Sequence, residues 1–138
     1  MIAYADSSVL LRVLLGSPGQ VKEWKSVETC LSSELARVEC LRTIDRLRLR
    51  GATEDQVSRL REATFRLLER LHLAPVSSDV LSRASAPFPV GLGTLDAIHL
   101  ASALLWQEGT GEPLGAFLTH DVEQGRAARA MGLRVLGP

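Results

Sequence analysis

The chain has 138 residues, carries 16 basic and 16 acidic side chains, and is 46% hydrophobic. This length suits one domain with a substantial core, and the apolar content excludes a disordered chain. Polar residues interrupt the most apolar segment, residues 95–106, which excludes a membrane span. Cys30 and Cys40 are too few for a disulfide framework and lack the spacing of zinc ligands. We therefore expect one domain over residues 1–138 of a cytoplasmic protein.

Segments typical of strands and of helices alternate along the chain. Five short apolar segments are predicted as strands, at residues 1–5, 28–31, 73–76, 114–119 and 133–136. Helices are predicted from apolar spacing at residues 9–15, 33–50, 53–71, just after 77–79, 94–109 and 122–131. Strands that alternate with helices indicate a parallel sheet covered on both faces. The sequence therefore predicts an α/β fold with a central parallel sheet.

The second and third predicted helices should form a hairpin at about residues 33–72. Thr53 is the predicted N-cap of the third helix, as Thr94 is of the apolar helix, because a hydroxyl accepts a free amide hydrogen. The second helix has an apolar residue at every third position, namely Leu35, Val38, Leu41, Ile44 and Leu47. The hairpin is also rich in arginine, which suits phosphate, although a solvated face with ion pairs explains most of these side chains.

Three aspartates stand where parallel sheets usually bind ligands. Asp6 follows the first predicted strand, Asp121 follows the fourth, and Asp96 lies in the first turn of the apolar helix. Because ligands sit beyond the carboxyl ends of parallel strands, we expect these side chains to lie close together. Glu39, early in the second helix, is the fourth candidate. Carboxylates grouped without a lysine are costly unless a cation lies among them, and oxygen ligands favour Mg²⁺ or Mn²⁺.

Each acid also has a purely structural explanation. An aspartate in the first turn of a helix complements the helix dipole, which accounts for Asp6, Asp96 and Asp121 taken separately. Glu39 is explained equally well as a surface glutamate. Asp96 favours a site, because the helix around it is too apolar to be exposed. The other alternative is a transition-metal site formed by Asp96 and two histidines, one of which is His99. We interpret His99 instead as a core histidine with internal hydrogen bonds.

Four segments, taken together, resemble the PIN-domain family. They read Tyr-Ala-Asp-Ser-Ser at residues 4–8, Ser-Glu-Leu-Ala-Arg-Val-Glu at 33–39, Thr-Leu-Asp-Ala-Ile-His-Leu-Ala at 94–101 and Leu-Thr-His-Asp at 118–121. Their order fits the family and they span nearly the whole chain, and the third segment is the most specific. Within the family, the sequence is most similar to VapC-type ribonuclease toxins of bacterial toxin–antitoxin pairs.

The resemblance implies a three-layer αβα sandwich with a central parallel sheet, and Mg²⁺- or Mn²⁺-dependent hydrolysis of RNA phosphodiester bonds. The acids that it assigns to catalysis and metal binding are Asp6, Glu39, Asp96 and Asp121. Ser8 and Thr119 match hydroxyl positions that bond ligands or water in the family. Glu34 is the rival of Glu39, which we prefer because the acid of the motif lies one turn into the helix.

The resemblance also implies partners. These are an RNA substrate and a cognate antitoxin protein, with no membrane. The amphipathic hairpin, which is long for so small a sheet, separately suggests that it pairs with a second copy of the chain in a homodimer or binds an antitoxin peptide. Arg37, Arg42 and Arg46 are candidates for guiding RNA phosphates, which would make binding depend on salt. A catalytically silent PIN-like protein-binding module is the alternative function, and the presence of all four acids argues against it.

Overall fold

The computed structural model describes residues 1–137. Its strands are β1 (Ile2–Ala5), β2 (Thr29–Ser33), β3 (His72–Ala74), β4 (Ala116–Leu118) and β5 (Val135–Leu136). Its α-helices are α1 (Ser7–Leu14), α2 (Glu34–Arg46), α3 (Glu54–Leu68), α4 (Ser78–Ser85), α5 (Thr94–Thr110) and α6 (Val122–Ala130), and short 3-10 helices cover Lys22–Ser26 and Leu47–Arg50. The strands form one parallel sheet in the order β3-β2-β1-β4-β5. This architecture confirms the predicted three-layer α/β fold.

The central strand β1 separates two hydrophobic layers. Successive side chains of a strand point to opposite faces of the sheet, so Ala3 and Ala5 enter one layer and Tyr4 enters the other. The first layer includes residues of α1 and α2, and the second includes residues of α5 and α6. In the second layer Tyr4 stacks on Phe117 of β4, with ring centroids 5.2 Å apart. Asp6, which directly follows β1, therefore lies at the middle of the carboxyl edge of the sheet.

The buried face of α2 coincides only in part with the row of every third residue. Ala36, Cys40 and Ile44 are buried, whereas Val38 of the predicted apolar row is 56% exposed. An α-helix has 3.6 residues per turn, so a row of every third residue drifts around the axis, while a spacing of four stays on one side. Val38 is therefore the member of the row that faces solvent, while Ile44 of the same row is buried beside the smaller Ala36 and Cys40.

The ends of α2 and α3 are set by local backbone chemistry. The prediction that the second helix reaches residue 50 is wrong, because the backbone tightens into the 3-10 helix Leu47–Arg50 and stops at Gly51, whose φ is +89°. Thr53 caps α3 as predicted, and Gln56 completes a capping box with it. The two helices pack against each other.

The apolar helix α5 is buried over residues 97–104, where it lies among the sheet, α4 and α6. Its N-cap is Gly93, and no side chain caps it, so the prediction that Thr94 is the cap is wrong. It ends at Thr110, before Gly111. Within residues 1–137, no helix has the combination of length and apolar composition needed to cross a bilayer.

Candidate active site

Asp6 is buried at the end of β1, where its side chain is held by donors from two segments. It is the N-cap of α1, and its Oδ1 accepts hydrogen bonds from the Val9 N–H at 3.2 Å and the Ser8 hydroxyl at 2.6 Å. Its Oδ2 accepts a hydrogen bond from the Thr119 hydroxyl at 2.6 Å. Burial raises the pKa of Asp6, and the hydrogen bonds from Ser8 and Thr119 partly oppose this effect. The carboxylate is thus fixed before any ligand binds.

The turn between β4 and α6 is tied to Asp6 through the same two hydroxyls. The His120 N–H donates to Ser8 Oγ at 2.9 Å, and the Asp121 N–H donates to Thr119 Oγ1 at 2.9 Å. Asp121 is exposed and caps α6, since its Oδ1 accepts from the Gln124 N–H at 2.8 Å. Ser8 and Thr119, the two predicted supporting residues, therefore link the ends of β1 and β4.

Asp96 lies half buried in the first turn of α5. Burial raises its pKa, and the negative charges of Asp121 and Asp6 raise it further. Glu39 adds a smaller effect in the same direction, while His99 lowers the pKa. Within residues 1–137, no arginine, lysine or histidine forms an ion pair with this carboxylate. The predicted acids are therefore close enough to repel one another, and no basic side chain neutralises Asp96.

Glu39 and Glu34 have different surroundings. Glu39 Oε1 lies 2.6 Å from His99 Nε2, and the charge of Glu39 acts on Asp96. Glu34 instead forms an ion pair with Arg37 on its own helix, with 3.0 Å between Oε2 and Nε. The geometry groups Glu39, and not Glu34, with the three aspartates.

His99 is buried, and both of its ring nitrogens have partners inside the protein. Nε2 faces Glu39, and Nδ1 lies 2.8 Å from the hydroxyl of Tyr4. Its interpretation as a core histidine with internal hydrogen bonds is confirmed. His99 is therefore not free to bind a metal ion in the alternative transition-metal site.

Two of the three arginines considered for RNA are engaged on α2. Arg37 pairs with Glu34, and Arg42 Nη1 lies 3.1 Å from Asp45 Oδ2, both at a spacing of three residues. Arg46 is exposed at the end of the helix. This pattern agrees with a solvated helix face for Arg37 and Arg42.

The chemistry of the four acids fits a hard divalent cation. Their donors are all oxygen atoms, and a cation would relieve the repulsion that raises the pKa of Asp96. Within the described residues, no group of three or more His, Cys, Asp or Glu side chains is arranged to hold an ion by itself. This arrangement still suits Mg²⁺, which keeps several waters and commonly uses one or two carboxylates with substrate phosphates.

Gln124 is a fully buried polar residue of the site that the sequence does not single out. Its Oε1 lies 3.0 Å from Thr119 Oγ1, and its Nε2 donates to the backbone carbonyl of Asp96 at 3.3 Å. It thus joins the turn before α6 to the first turn of α5. The spacing Asp121-x-x-Gln124 is the only signal, and it indicates a capping box at the start of α6 rather than a contact with α5.

We expect Asp96→Asn to stabilise the metal-free protein at neutral pH. The pKa of Asp96 is raised from 3.8, so the folded protein holds a proton there more readily than the unfolded chain does. Protonation of Asp96 therefore stabilises the folded protein fully below the ordinary pKa of aspartate, and this stabilisation is lost as the pH rises through the raised pKa. Asparagine carries no charge and so avoids this loss at pH 7. Solvent screens a half-buried group, so we expect a rise in melting temperature of about 2–4 °C at pH 7.

The measurement is thermal unfolding with a chelator at pH 7 and at about pH 4, which is close to the ordinary pKa of aspartate. The gain should shrink at the lower pH, because wild-type Asp96 carries a proton in a larger fraction of the molecules there. Glu62→Gln, an exposed change within α3, is the matched control and should have little effect at either pH. An equal gain at both pH values would contradict the prediction.

The family comparison matches the chain along nearly its whole length. The PIN domain family model matches residues 3–129. Ribonuclease VapC46 of Mycobacterium tuberculosis (strain ATCC 25618 / H37Rv) is 33% identical over 138 residues, covering 98% of this chain and 96% of that protein. Ribonuclease VapC47 of Mycobacterium tuberculosis (strain CDC 1551 / Oshkosh) is 31% identical over 142 residues, with the same shares covered.

Two solved structures share the fold at low sequence identity. A toxin-antitoxin complex from Klebsiella pneumoniae aligns with a TM-score of 0.66 at 16% identity, over 93% of both chains. VapBC2 from Rickettsia felis, bound to a DNA fragment from its promoter, aligns with a TM-score of 0.65 at 12% identity, over 98% of this chain and 97% of that one. The fold, the family match and the relatives agree, and the chain belongs to the PIN domain family.

Proposed function

We propose that the chain is a metal-dependent endoribonuclease that hydrolyses RNA phosphodiester bonds, and that it is the toxin of a VapBC-type toxin–antitoxin pair. The observation that carries this proposal is the group of carboxylates at the carboxyl edge of the sheet, where the Thr119 hydroxyl joins Asp6 to the turn that carries Asp121. Burial and the neighbouring acids Asp121 and Asp6 also raise the pKa of Asp96. Two relatives named as ribonucleases, similar over nearly their full length, support the reaction.

The proposed catalytic and metal-binding residues are Asp6, Glu39, Asp96 and Asp121, with Ser8 and Thr119 supporting them. A bound Mg²⁺ or Mn²⁺ would activate a water molecule and neutralise charge on the phosphate. Asp6 contributes a carboxylate that two hydroxyls hold in place. Asp121 contributes an exposed carboxylate at the start of α6. Asp96 contributes one that forms no ion pair within residues 1–137.

The proposed partners are an RNA substrate, a cognate antitoxin protein and a second copy of the chain. The two similar solved structures, a toxin-antitoxin complex and VapBC2, support the antitoxin. The RNA substrate implies that the protein acts in the cytoplasm. We also propose that residues 1–138 form a single PIN-like domain, in which α2 and α3 make the helical hairpin at about residues 33–72.

The experiment is cleavage of a mixed RNA substrate by the purified protein, with Mg²⁺, with Mn²⁺ and with a chelator. We expect cleavage with either ion and none with the chelator. Cleavage that ignores the chelator would contradict the metal-dependent reaction. A folded protein that leaves the RNA intact under all conditions would instead favour the protein-binding module, which a pull-down of partner proteins would then test.

A further inference from the structure

A buried chain of hydrogen bonds leads from β1 to Glu39. Tyr4 and His99 are each 1% exposed. The Tyr4 hydroxyl lies 2.8 Å from His99 Nδ1, and His99 Nε2 lies 2.6 Å from Glu39 Oε1. These hydrogen bonds connect three elements, since Tyr4 is in β1, His99 in α5 and Glu39 in α2. They end on an acid of the proposed site, so any catalytic purpose of these hydrogen bonds rests on the proposed function.

The chemistry of the partners sets the direction of both hydrogen bonds. A carboxylate that binds a metal ion only accepts hydrogen bonds, so in the proposed site the proton in the short contact belongs to His99 Nε2. In a neutral imidazole the other nitrogen is then an acceptor. The Tyr4 phenol lies 2.8 Å from Nδ1, and its hydroxyl can donate to that nitrogen. The three groups therefore select one tautomer of the ring.

The two buried rings are also held rigidly by packing. Tyr4 stacks on Phe117 at an interplanar angle of 6° and meets the His99 ring edge-on at 76°. The side chain of Glu39 is 19% exposed, against 2% for that of His99. The Tyr4 and His99 rings are thus held inside the protein, and the Glu39 carboxylate, at the other end of the hydrogen-bond series, reaches the solvent edge where the other acids lie.

We propose that His99 is a positioning residue, which holds the Glu39 carboxylate in the orientation for metal binding, and that Tyr4 fixes the ring tautomer that makes this possible. His99 does not contact the metal or the RNA in this proposal. It acts by taking one carboxylate oxygen of Glu39 and directing the other. Partners of this kind typically change metal affinity by about 10–100-fold when they are removed.

The test begins with Mn²⁺ binding to the purified full-length protein, measured by calorimetry without RNA. His99→Leu removes the donor and should weaken Mn²⁺ binding by about 10–100-fold. His99→Gln keeps an N–H donor near the Nε2 position and should restore most of the affinity. Cleavage by His99→Leu should approach that of the wild type at saturating Mn²⁺, which loss of the fold would not allow. Equal affinity in His99→Leu and wild type, or equal weakness in both variants, would overturn the proposal.

The tautomer is tested separately on the metal-free protein. Nitrogen-15 NMR of the His99 ring should find the proton on Nε2 in the wild type and a mixture of states in Tyr4→Phe. Tyr4→Phe should also bind Mn²⁺ more weakly than the wild type. If His99→Leu does not fold, the comparison of His99→Gln and Tyr4→Phe with the wild type decides the proposal. A Tyr4→Phe protein unchanged in both tautomer and affinity would overturn the role of Tyr4.

Glu39→Gln separates this inference from the proposed function. If the wild type binds no Mn²⁺, the metal-dependent function itself fails. If Glu39→Gln weakens binding and His99→Leu does not, the inference alone fails. If His99 acts through Glu39, adding His99→Leu to Glu39→Gln should cause no further loss, because the two effects share one route.

Discussion

Replacing Asp6 with asparagine should lower metal-dependent RNA cleavage by about a thousand-fold or more, since a bound cation supplies several kcal/mol of transition-state stabilisation. Asparagine has nearly the same shape, and its carbonyl oxygen can still accept from the Val9 N–H and the Ser8 hydroxyl. The amide nitrogen of the asparagine then faces Thr119 Oγ1, which can accept a hydrogen bond from it. The variant should therefore remain folded while it loses the negative charge that a hard cation requires. Single-turnover cleavage with Mn²⁺ measures the effect.

The control for this prediction is an acid away from the proposed site. Glu62→Gln removes one exposed negative charge from α3 and should cleave at the wild-type rate. Thermal unfolding of both variants checks that they are folded. An Asp6→Asn protein with wild-type activity that still depends on metal would remove Asp6 from the proposed ligands. Equal cleavage by all proteins in the presence of chelator would identify a contaminating nuclease.

Phe117→Ala should lower the free energy of unfolding by about 3–5 kcal/mol, the usual effect of deleting a buried aromatic ring. Phe117 is fully buried in β4, and its ring stacks on Tyr4. Removing it leaves a cavity between the sheet and α5, where Leu100 and Leu104 belong to the same cluster. Urea unfolding measures the loss.

Leu49→Ala is the matched control for the loss of apolar volume. Leu49 is 84% exposed, so its truncation should change the free energy of unfolding by less than about 0.5 kcal/mol. If Phe117→Ala does not fold, Phe117→Leu keeps part of the volume and should be destabilised less. Equal effects of Phe117→Ala and Leu49→Ala would contradict the packing described for β4.

The alternation of strands and helices was predictable because the apolar segments are short and separated by clear turns. The position of Asp6 and Asp121 could be predicted from the same pattern, since Asp6 comes directly after β1 and Asp121 lies in the turn after β4. The inner face of α2 was not predictable, because it is built on Ala36 and Cys40 while the larger Val38 is exposed. Hydrophobic size therefore did not distinguish the exposed Val38 from the buried Ile44 of the same row.

The contacts among the site residues were less predictable than the residues themselves. The sequence predicts that the acids should meet, because parallel strands end at one edge of the sheet. It contains no signal for the bond between His99 and Glu39, which are 60 residues apart, or for that between Tyr4 and His99, which are 95 apart. Gln124 was missed for the same reason, since its contact with Asp96 depends on how α5 and α6 pack.

The central position of β1 determines when during synthesis the site can form. β1 leaves the ribosome before both of its neighbours in the sheet, β2 and β4, and β4 is made only after β2, β3 and the helices α1 to α5. The hydrogen bond between Asp6 and Thr119 joins residues that are 113 positions apart. A chain that stops before β4 has neither this bond nor the turn that carries Asp121. Under the proposed function, a nascent chain therefore cannot complete the site, or cleave RNA, until β4 and the turn after it have been translated.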